Sequence, residues 1–397
     1  MNKKLIALLL DCVLLLGCVG CGKVGNKSDQ SGSMEVVSTV TRDTKFNSAI
    51  LALSPEEFEE KGFELGDSCD IEFENGYSLT DVPIYNGYYV KNAAPIVVEY
   101  PGFGDVRITL NNLGIFDQAE LAEGMSVTIR MNAKGKYMPI QEALGQLYSF
   151  DRTDYDSDVQ FTNFRALTGG RLKADFLFRG ASPVDNSRNR APFTDRLLDE
   201  NAVRFVIDLA DSEEDIAGYM AAEDFASDYF VSLYGAQRVA LLDMGSSYQS
   251  EEYQQRIASG LRQYLAVCDS LSGPDACRIY IHCMEGKDRT GFVCMLLEAL
   301  AGATYDEMLA DYMITYDNYY DVTKSGTPEK YDAIADLYFN SFAEYLYGLS
   351  GSDSALTDAP DLATLKAADY TEDAAAYLRS GGMTDAEIMS LLSCITQ

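Results

Sequence analysis

The chain contains no tryptophan and only one histidine, His282, among its 397 residues. A serine–histidine–aspartate triad needs a histidine base, and most zinc sites gather several histidine or cysteine ligands, so neither is expected. Positive charge is also scarce: 31 lysines and arginines stand against 62 aspartates and glutamates, giving a net charge of -31. Nucleic acid, which requires a basic surface, is therefore excluded as a partner. Any anionic ligand must be held by a local basic pocket, and we expect no metal and no cofactor.

The N-terminus has the pattern of a targeting segment. Lys3 and Lys4 precede an apolar run over 5–16, which is too short for a comfortable membrane span and is typical of a secretory signal. The sequence Leu-Leu-Gly-Cys that ends at Cys18 resembles the lipobox of bacterial lipoproteins, which implies lipid attachment there, with Cys21 in a second, poorer register. We therefore predict a signal over 1–21 and a location outside the cytoplasm, lipid-anchored to the bacterial cell membrane. An ordinary cleaved signal or an uncleaved anchor remains the alternative.

The remaining cysteines show no paired metal spacing. Cys268 and Cys277 could form a disulfide in an oxidising compartment. Unpaired thiols are nevertheless the expectation, because nothing in the spacing resembles a disulfide framework.

A tether and a small β-rich domain follow the leader. Residues 22–35 are polar and small, which is typical of a flexible tether. We expect 36–145 to form a small β-rich domain, because residues from about 66 to 135 alternate in the manner of strands. Ser54 followed by proline and two glutamates predicts a short helix. The dipeptides Asn75-Gly76 and Asn86-Gly87 predict hairpin turns, so we expect a mainly antiparallel sheet or barrel. The aromatic stretch 85–89 is either a recognition surface or a hairpin with packed rings.

The second predicted domain, 155–397, alternates strands and helices and is expected to be α/β, with a central sheet flanked by helices. Strands are predicted over 204–209, 238–242 and 278–281, and helices over 250–267 and 292–301. A last helical pair is expected over about 362–395.

The chemistry is concentrated in HCMEGKDRTG, residues 282–291. Cys283 lies where a strand ends and a helix is about to begin, so inward-pointing amides and the helix N-terminus can stabilise a thiolate or an oxyanion. Arg289, six positions later, can bind two phosphoryl oxygens at once, and Thr290 can donate to the sulfur. His282 is expected to orient the loop rather than to act as a base. The predicted phosphate-binding residues are Met284, Glu285, Gly286, Lys287, Asp288, Arg289 and Thr290.

This loop resembles the signature of the cysteine-dependent protein tyrosine phosphatase superfamily, in particular the bacterial tyrosine and phosphoinositide phosphatases whose loop reads HCxxGKDRTG. Segments beginning at Asn163, Phe178 and Val206 are similar in order to that group's NFRD, RS and IDL segments, although Ala166 stands where the group commonly has aspartate. The resemblance covers about 160–345 and implies a phosphoenzyme on Cys283 that water hydrolyses.

Such a mechanism needs a general acid for the leaving oxygen. The resemblance to the wider superfamily implies Asp243, and Asp288 and Asp208 are rivals. Arg165 and Arg179, with Asp208, are candidates for the substrate pocket, and Arg188 and Arg190 either extend a basic pocket or pair with acidic neighbours.

Four functions remain open from the sequence, and in the fourth the β-rich domain is the principal adhesive unit with the phosphatase as an accessory. The first is a phosphatase acting on tyrosine-phosphorylated protein or peptide outside the cytoplasm. The second changes the substrate to phosphoinositides, inositol phosphates or another small phosphomonoester. The third is a lipoprotein that binds phosphorylated ligands without turnover, which the intact Cys283, Arg289 and Thr290 disfavour.

Overall fold

The computed structural model describes residues 34–145, 147–245, 247–271, 277–351 and 360–397. The predicted signal and the lipidation candidates Cys18 and Cys21 lie outside these residues. The described chain belongs to one compact unit, Met34–Gln397. Among its helices, none has the combined length and apolar character needed to cross a bilayer.

The N-terminal part is a closed barrel of seven strands, in the order β1-β2-β6-β5-β4-β3-β7. Along β1, buried and exposed residues alternate, as expected when one face of a strand packs on a core. Neighbouring strands pair antiparallel except β4 and β5, which run parallel. The strands are β1 (Glu35–Arg42), β2 (Ala49–Leu51), β3 (Ser68–Phe73), β4 (Ser78–Tyr85), β5 (Pro95–Val98), β6 (Arg107–Leu110) and β7 (Ser126–Ala133).

The two predicted hairpin turns have different outcomes. The turn at Asn75-Gly76 is confirmed, since it joins the antiparallel strands β3 and β4 and Gly76 has a φ of 88°. The turn at Asn86-Gly87 is wrong, because β4 and β5 run parallel. The Asn86 side chain instead accepts from Gln141 Nε2 at 2.8 Å and donates to the Gly145 carbonyl at 3.2 Å. Side-chain contacts with a later helix thus replace the local turn.

The second part contains a five-stranded sheet in the order β11-β10-β12-β9-β8. Strands β9 to β12 are parallel to their neighbours, and β8 pairs antiparallel with β9. Gly180, Asp208, Leu241 and His282 stand at one level of the register, so the carboxyl ends of four strands meet at one edge, where α/β proteins place their ligands. The strands are β8 (Arg165–Ala166), β9 (Leu177–Gly180), β10 (Phe205–Asp208), β11 (Val239–Leu241) and β12 (Ile279–His282).

The helices begin where capping residues predict. Ser54 caps the first helix with a full capping box, and Ser250 caps the long helix predicted over 250–267. The helices are α1 (Pro55–Glu60), α2 (Met138–Leu144), α3 (Asp158–Phe161), α4 (Ala191–Glu200), α5 (Glu213–Met220), α6 (Asp228–Gly235), α7 (Glu251–Cys268), α8 (Asp288–Leu300), α9 (Tyr305–Tyr320), α10 (Pro328–Ile334), α11 (Asn340–Leu346), α12 (Leu362–Ala367), α13 (Thr371–Ser380) and α14 (Asp385–Ile395). The predicted last helical pair is therefore three helices, α12 to α14.

Helix α8 is buried on every side from Thr290 to Leu300. It begins at Asp288, four residues before the predicted start at 292, because the loop 283–287 passes directly into its first turn. The α/β core surrounds this helix, so the loop before it is held on a rigid element.

Cys268 and Cys277 are joined by a disulfide, which corrects the expectation of unpaired thiols. Their Cα atoms lie 5.4 Å apart, within the range a disulfide can span. The end of α7 and the approach to β12 are brought together by the sheet, and this proximity is not visible in cysteine spacing alone. Cys69, Cys283, Cys294 and Cys394 are free thiols.

Candidate active site

The loop 283–287 connects the central strand β12 to the buried helix α8. Gly286 has a φ of 67°, and a Cβ there would collide with the carbonyl of Gly180 at the end of β9. A larger residue would therefore push the loop off the sheet edge. The sequence folds here into a tight turn that Gly286 alone makes possible.

The loop carbonyls are held from behind. The Glu285 carbonyl accepts from the Tyr319 hydroxyl at 3.0 Å, and the Gly286 carbonyl accepts from Arg179 at 2.8 Å. The backbone N–H groups of residues 284–287 donate no hydrogen bond to any described residue. Buried amides need acceptors, so this loop is prepared for the oxygens of an anion.

Cys283 and Arg289 line one cavity of about 350 Å³. Cys283 is 4% exposed, at the base of that cavity, and Arg289 donates to the Met244 carbonyl at 2.9 Å. Burial alone would lower the pKa of Arg289, but electrostatic interactions with Cys283, Tyr253 and nearby acids outweigh it, and the pKa is raised. The guanidinium is thus a cation close to the sulfur. The Thr290 hydroxyl is buried and has no hydrogen-bond partner among the described residues.

His282 lies beneath the loop and not in the cavity. Its Nδ1 is 3.3 Å from the Cys283 carbonyl oxygen, and its Nε2 is 3.7 Å from Asp208 Oδ2. Burial lowers the pKa of His282 to about 4, so the ring is neutral at neutral pH. A neutral, enclosed imidazole is a loop support, as its position in the sequence predicts.

The three predicted acids occupy different places. Asp243 is half-exposed, does not line the cavity, and pairs with Lys45 Nζ at 3.3 Å. Asp208 is fully buried and accepts from the amides of Ala210 and Asp211. Asp288 does line the cavity, with its carboxylate 3.8 Å from the ammonium group of Lys287.

Asp211 is an acid that the sequence patterns missed. It lines the cavity with Cys283, is 4% exposed, and accepts a hydrogen bond from the Tyr219 hydroxyl at 3.3 Å. Burial and the neighbouring Asp208 charge raise the pKa of Asp211 to about 8. Its position directly after β10, a strand parallel to β12, is the signal that would have found it.

The predicted pocket arginines Arg165 and Arg179 lie behind the loop and do not line the cavity. Both pair with Asp311 on α9, at 2.7 and 2.6 Å, and Arg179 is only 1% exposed. Asp208, the third residue of that predicted pocket, is likewise sealed beneath it. These residues brace the loop, and no contact with a substrate is open to them.

Arg188 and Arg190 are also largely structural. Arg188 lies 3.7 Å from Glu285 and donates to the Pro101 carbonyl at 3.1 Å. Arg190 is buried among aromatic rings, including Tyr148 and Tyr319. Neither lines the cavity. Arg188 fits the alternative of pairing with an acidic neighbour, whereas Arg190 instead contacts aromatic rings and donates to the Phe161 carbonyl at 2.6 Å.

The cavity walls come from distant parts of the chain. One wall comes from the barrel, with Lys45, Phe46, Tyr88, Tyr89 and Tyr100. The facing aromatic residues come from the segment after α2, from α9 and from the π-helical turn that follows α10: Tyr148, Tyr316, Tyr320 and Tyr338. Of these, Tyr88 and Tyr89 belong to the aromatic stretch 85–89 that the sequence singled out, and both line the cavity.

Four cations line the cavity, Lys45, Lys287, Arg289 and Lys330, together with four carboxyl groups, Asp211, Asp215, Glu285 and Asp288. Because the raised pKa of Asp211 lets it keep its proton at neutral pH, at most three carboxylates offset the four cations. An arginine beside a ring of amides can hold one phosphoryl group, and the carboxylates of Glu285 and Asp288 near Lys287 leave little positive charge for several.

The parallel sheet and the amide-lined loop between strand and helix define an α/β protein with an oxyanion site. Residues 160–396 match the tyrosine phosphatase family, which is more than half of the chain, and the chain therefore belongs to that family. A tyrosine-protein phosphatase of Nostoc commune is 30% identical over 118 residues, which are 28% of this chain and 40% of that protein. The match thus spans less than half of this relative's length. A crystal structure of an uncharacterized conserved protein from Thermotoga maritima is 17% identical over 31% of this chain and 48% of that one, with a TM-score of 0.22, too low to support any argument.

Proposed function

We propose that the protein hydrolyses phosphate monoesters through a cysteinyl-phosphate intermediate. The single observation that carries this is the convergence of Cys283, Arg289 and the unbonded loop amides on one cavity. The Cys283 sulfur attacks phosphorus, the ester P–O bond breaks, and the leaving oxygen takes a proton. Water then attacks the phosphorus, the S–P bond breaks, and inorganic phosphate leaves. The amides and Arg289 stabilise the charge that develops on the equatorial oxygens.

The proton donor is best sought among the four carboxyl groups that line the cavity. Hydrogen bonds from Ser212 lower the pKa of Asp215. Burial would raise the pKa of Glu285, but the charge of Lys287 and a hydrogen bond from Tyr148 lower it. Asp215 and Glu285 are therefore both ionised. Burial raises the pKa of Asp288 and of Asp211, and Asp211 is the more enclosed of the two. We therefore assign proton donation to Asp211, with Asp288 as the second candidate. Asp243 could donate the proton only if its ion pair with Lys45 were broken.

Tyrosine-phosphorylated protein or peptide is the proposed substrate class. Aromatic side chains form both walls of the cavity above Cys283, which suits a phenyl ester. Inositol phosphates carry several phosphates, and the small excess of positive charge in the lining favours a single phosphoryl group. Membership of the tyrosine phosphatase family supports the same choice. Within that family we place the chain in the bacterial HCxxGKDRTG group on its loop sequence.

Replacing the nucleophile tests the proposal against binding without turnover. Cys283→Ser should abolish phosphate release from a phosphotyrosine peptide while keeping affinity for that peptide, because the amides and Arg289 remain. Cys394→Ser, which changes a partly exposed thiol on α14, is the matched control and should keep full activity. Phosphate release is measured in single-turnover and steady-state assays, and binding by calorimetry. Full turnover in the serine variant would remove Cys283 from the mechanism.

We also propose that the protein acts outside the cytoplasm, attached through a lipid on Cys18. The lipobox-like sequence that ends at Cys18 supports this. The Cys268–Cys277 disulfide adds support, because disulfides persist in oxidising compartments.

A further inference from the structure

Four segments of the barrel reach the active-site cavity, and three of them contribute aromatic or charged residues. Lys45 and Phe46 lie in the connection from β1 to β2, Tyr88 and Tyr89 follow β4, and Tyr100 follows β5. We call these five residues the barrel wall. They lie on a part of the chain that the match to the phosphatase family, which begins at residue 160, does not include.

Specific contacts fix the barrel wall against the loop that holds Cys283. Lys45 Nζ donates to the Ala210 carbonyl and pairs with Asp243, both in segments that follow sheet strands. The Tyr100 hydroxyl lies 3.5 Å from Glu285 Oε2, within the phosphate-binding loop itself. The barrel is thus attached at two sides of the site, and its position there is determined by charge and hydrogen bonding as well as by apolar packing.

Phe46 occupies the most telling position in the barrel wall. Its ring centroid is 5.8 Å from the guanidinium carbon of Arg289, and its side chain is only partly buried. The rest of the ring is open to the cavity that Cys283 also lines. A substrate group attached to a phosphate on Arg289 would therefore extend beside this ring.

We propose that the barrel supplies the specificity wall of the active site, and that Phe46 selects phosphate esters of aromatic alcohols. This inference rests on the proposed phosphatase function. An aromatic leaving group would stack on or edge against Phe46, with the tyrosines of the facing wall on its other side. The barrel is on this basis a component of the enzyme and not an independent adhesive module.

The test compares two esters of similar size that differ in aromaticity, phenyl phosphate and cyclohexyl phosphate, on the full-length protein. Phe46→Ala should lower kcat/KM for phenyl phosphate about two- to tenfold more than for cyclohexyl phosphate. Both esters lose the buried apolar area, whereas only the phenyl ester loses a ring pair, which contributes an effect of this size. The variant's kcat/KM for each ester is divided by the wild-type value, and these two ratios are compared. The intrinsic difference in reactivity between the two leaving groups then cancels. Tyr77→Ala, a partly buried barrel aromatic outside the cavity, is the matched control and should leave the ratio unchanged.

Inhibition by inorganic phosphate separates specificity from positioning. Phosphate contacts the loop and not the wall, so its inhibition constant should stay within a few-fold in Phe46→Ala. An equal loss on both esters with weaker phosphate inhibition would overturn the inference, because Phe46 would then only orient Arg289. An unchanged ratio would overturn it as well. If the wild-type protein hydrolyses neither ester, the proposed function fails. Calorimetric binding of phenyl and cyclohexyl phosphate to the wild-type and Phe46→Ala chains then still decides whether the barrel wall discriminates between aromatic and alicyclic groups.

Discussion

Arg179 joins the sheet to the phosphate-binding loop, and its removal tests whether the loop is held from behind. The guanidinium pairs with Asp311 at 2.6 Å and donates to the carbonyls of Gly286 and Lys287 at 2.8 and 3.4 Å. The residue is buried, so none of these contacts is screened by water. Arg179 touches no substrate in this arrangement and is a positioning residue.

Arg179→Met keeps most of the apolar stem and removes the charge. Breaking a buried ion pair costs ~3–5 kcal/mol of folding free energy. Asp311 retains Arg165 at 2.7 Å, and the Gly286 carbonyl retains Asn163 at 3.3 Å. Because both partners keep one contact, we expect the lower end of that range, about 3 kcal/mol. A loop displaced by even an ångström should also lower kcat/KM on the order of 100-fold, mainly through kcat.

Urea denaturation measures the first effect and steady-state kinetics the second. Arg204→Met is the matched control, because Arg204 precedes β10 at the sheet edge away from the loop and donates to Tyr229. It should leave kcat/KM unchanged. A double-mutant cycle with Asp311→Asn isolates the pair, and we expect a coupling of ~1–3 kcal/mol. The bracing role is refuted if Arg179→Met lowers the free energy of unfolding by under about 1 kcal/mol and keeps wild-type kcat. Breaking a buried ion pair should cost more than that.

Two further predictions concern the proton donor and the anchor. A donor must carry its proton, and the pKa of Asp211 is raised to about 8, so kcat/KM should fall as the pH rises through about 8. Asp211→Asn should lower kcat/KM and remove its fall at high pH, while Asp243→Asn should keep that fall. If Asp288→Asn alone flattens the pH profile, Asp288 is the proton donor instead. In a bacterial host, Cys18→Ser should move the protein from the membrane to the soluble extracytoplasmic fraction, whereas Cys21→Ser should leave it membrane-bound, and fractionation with an antibody distinguishes these outcomes.

The fold of the loop that carries Cys283 was predictable because its determinants are local. Residues 282–291 are consecutive, and the spacing from Cys283 to Arg289 is fixed by one turn and the start of one helix. The same locality made the capped start of α1 and the turn at Asn75-Gly76 predictable.

The surroundings of the loop were not predictable because they depend on tertiary contacts. Asp243 has the position in the chain expected of an acid, yet it adopts a φ of 41° and pairs with Lys45 from the barrel. Phe46 lies in the barrel and Arg289 in the first turn of α8, far apart in the sequence. No periodicity in the sequence reveals that the two side chains come into contact. The sequence suggests that Arg179 lines the substrate pocket, but its guanidinium pairs with Asp311 on the later helix α9 and lies behind the loop.

The cavity spans the chain almost from one end to the other, since its lining runs from Lys45 to Phe342. A nascent chain completes the barrel long before the last tyrosines of the opposite side have been synthesised. Contacts between such distant segments form late, because closing long loops is entropically costly. During refolding, the return of selectivity between aromatic and alicyclic esters would consequently mark the docking of barrel and sheet, a later event than the folding of either.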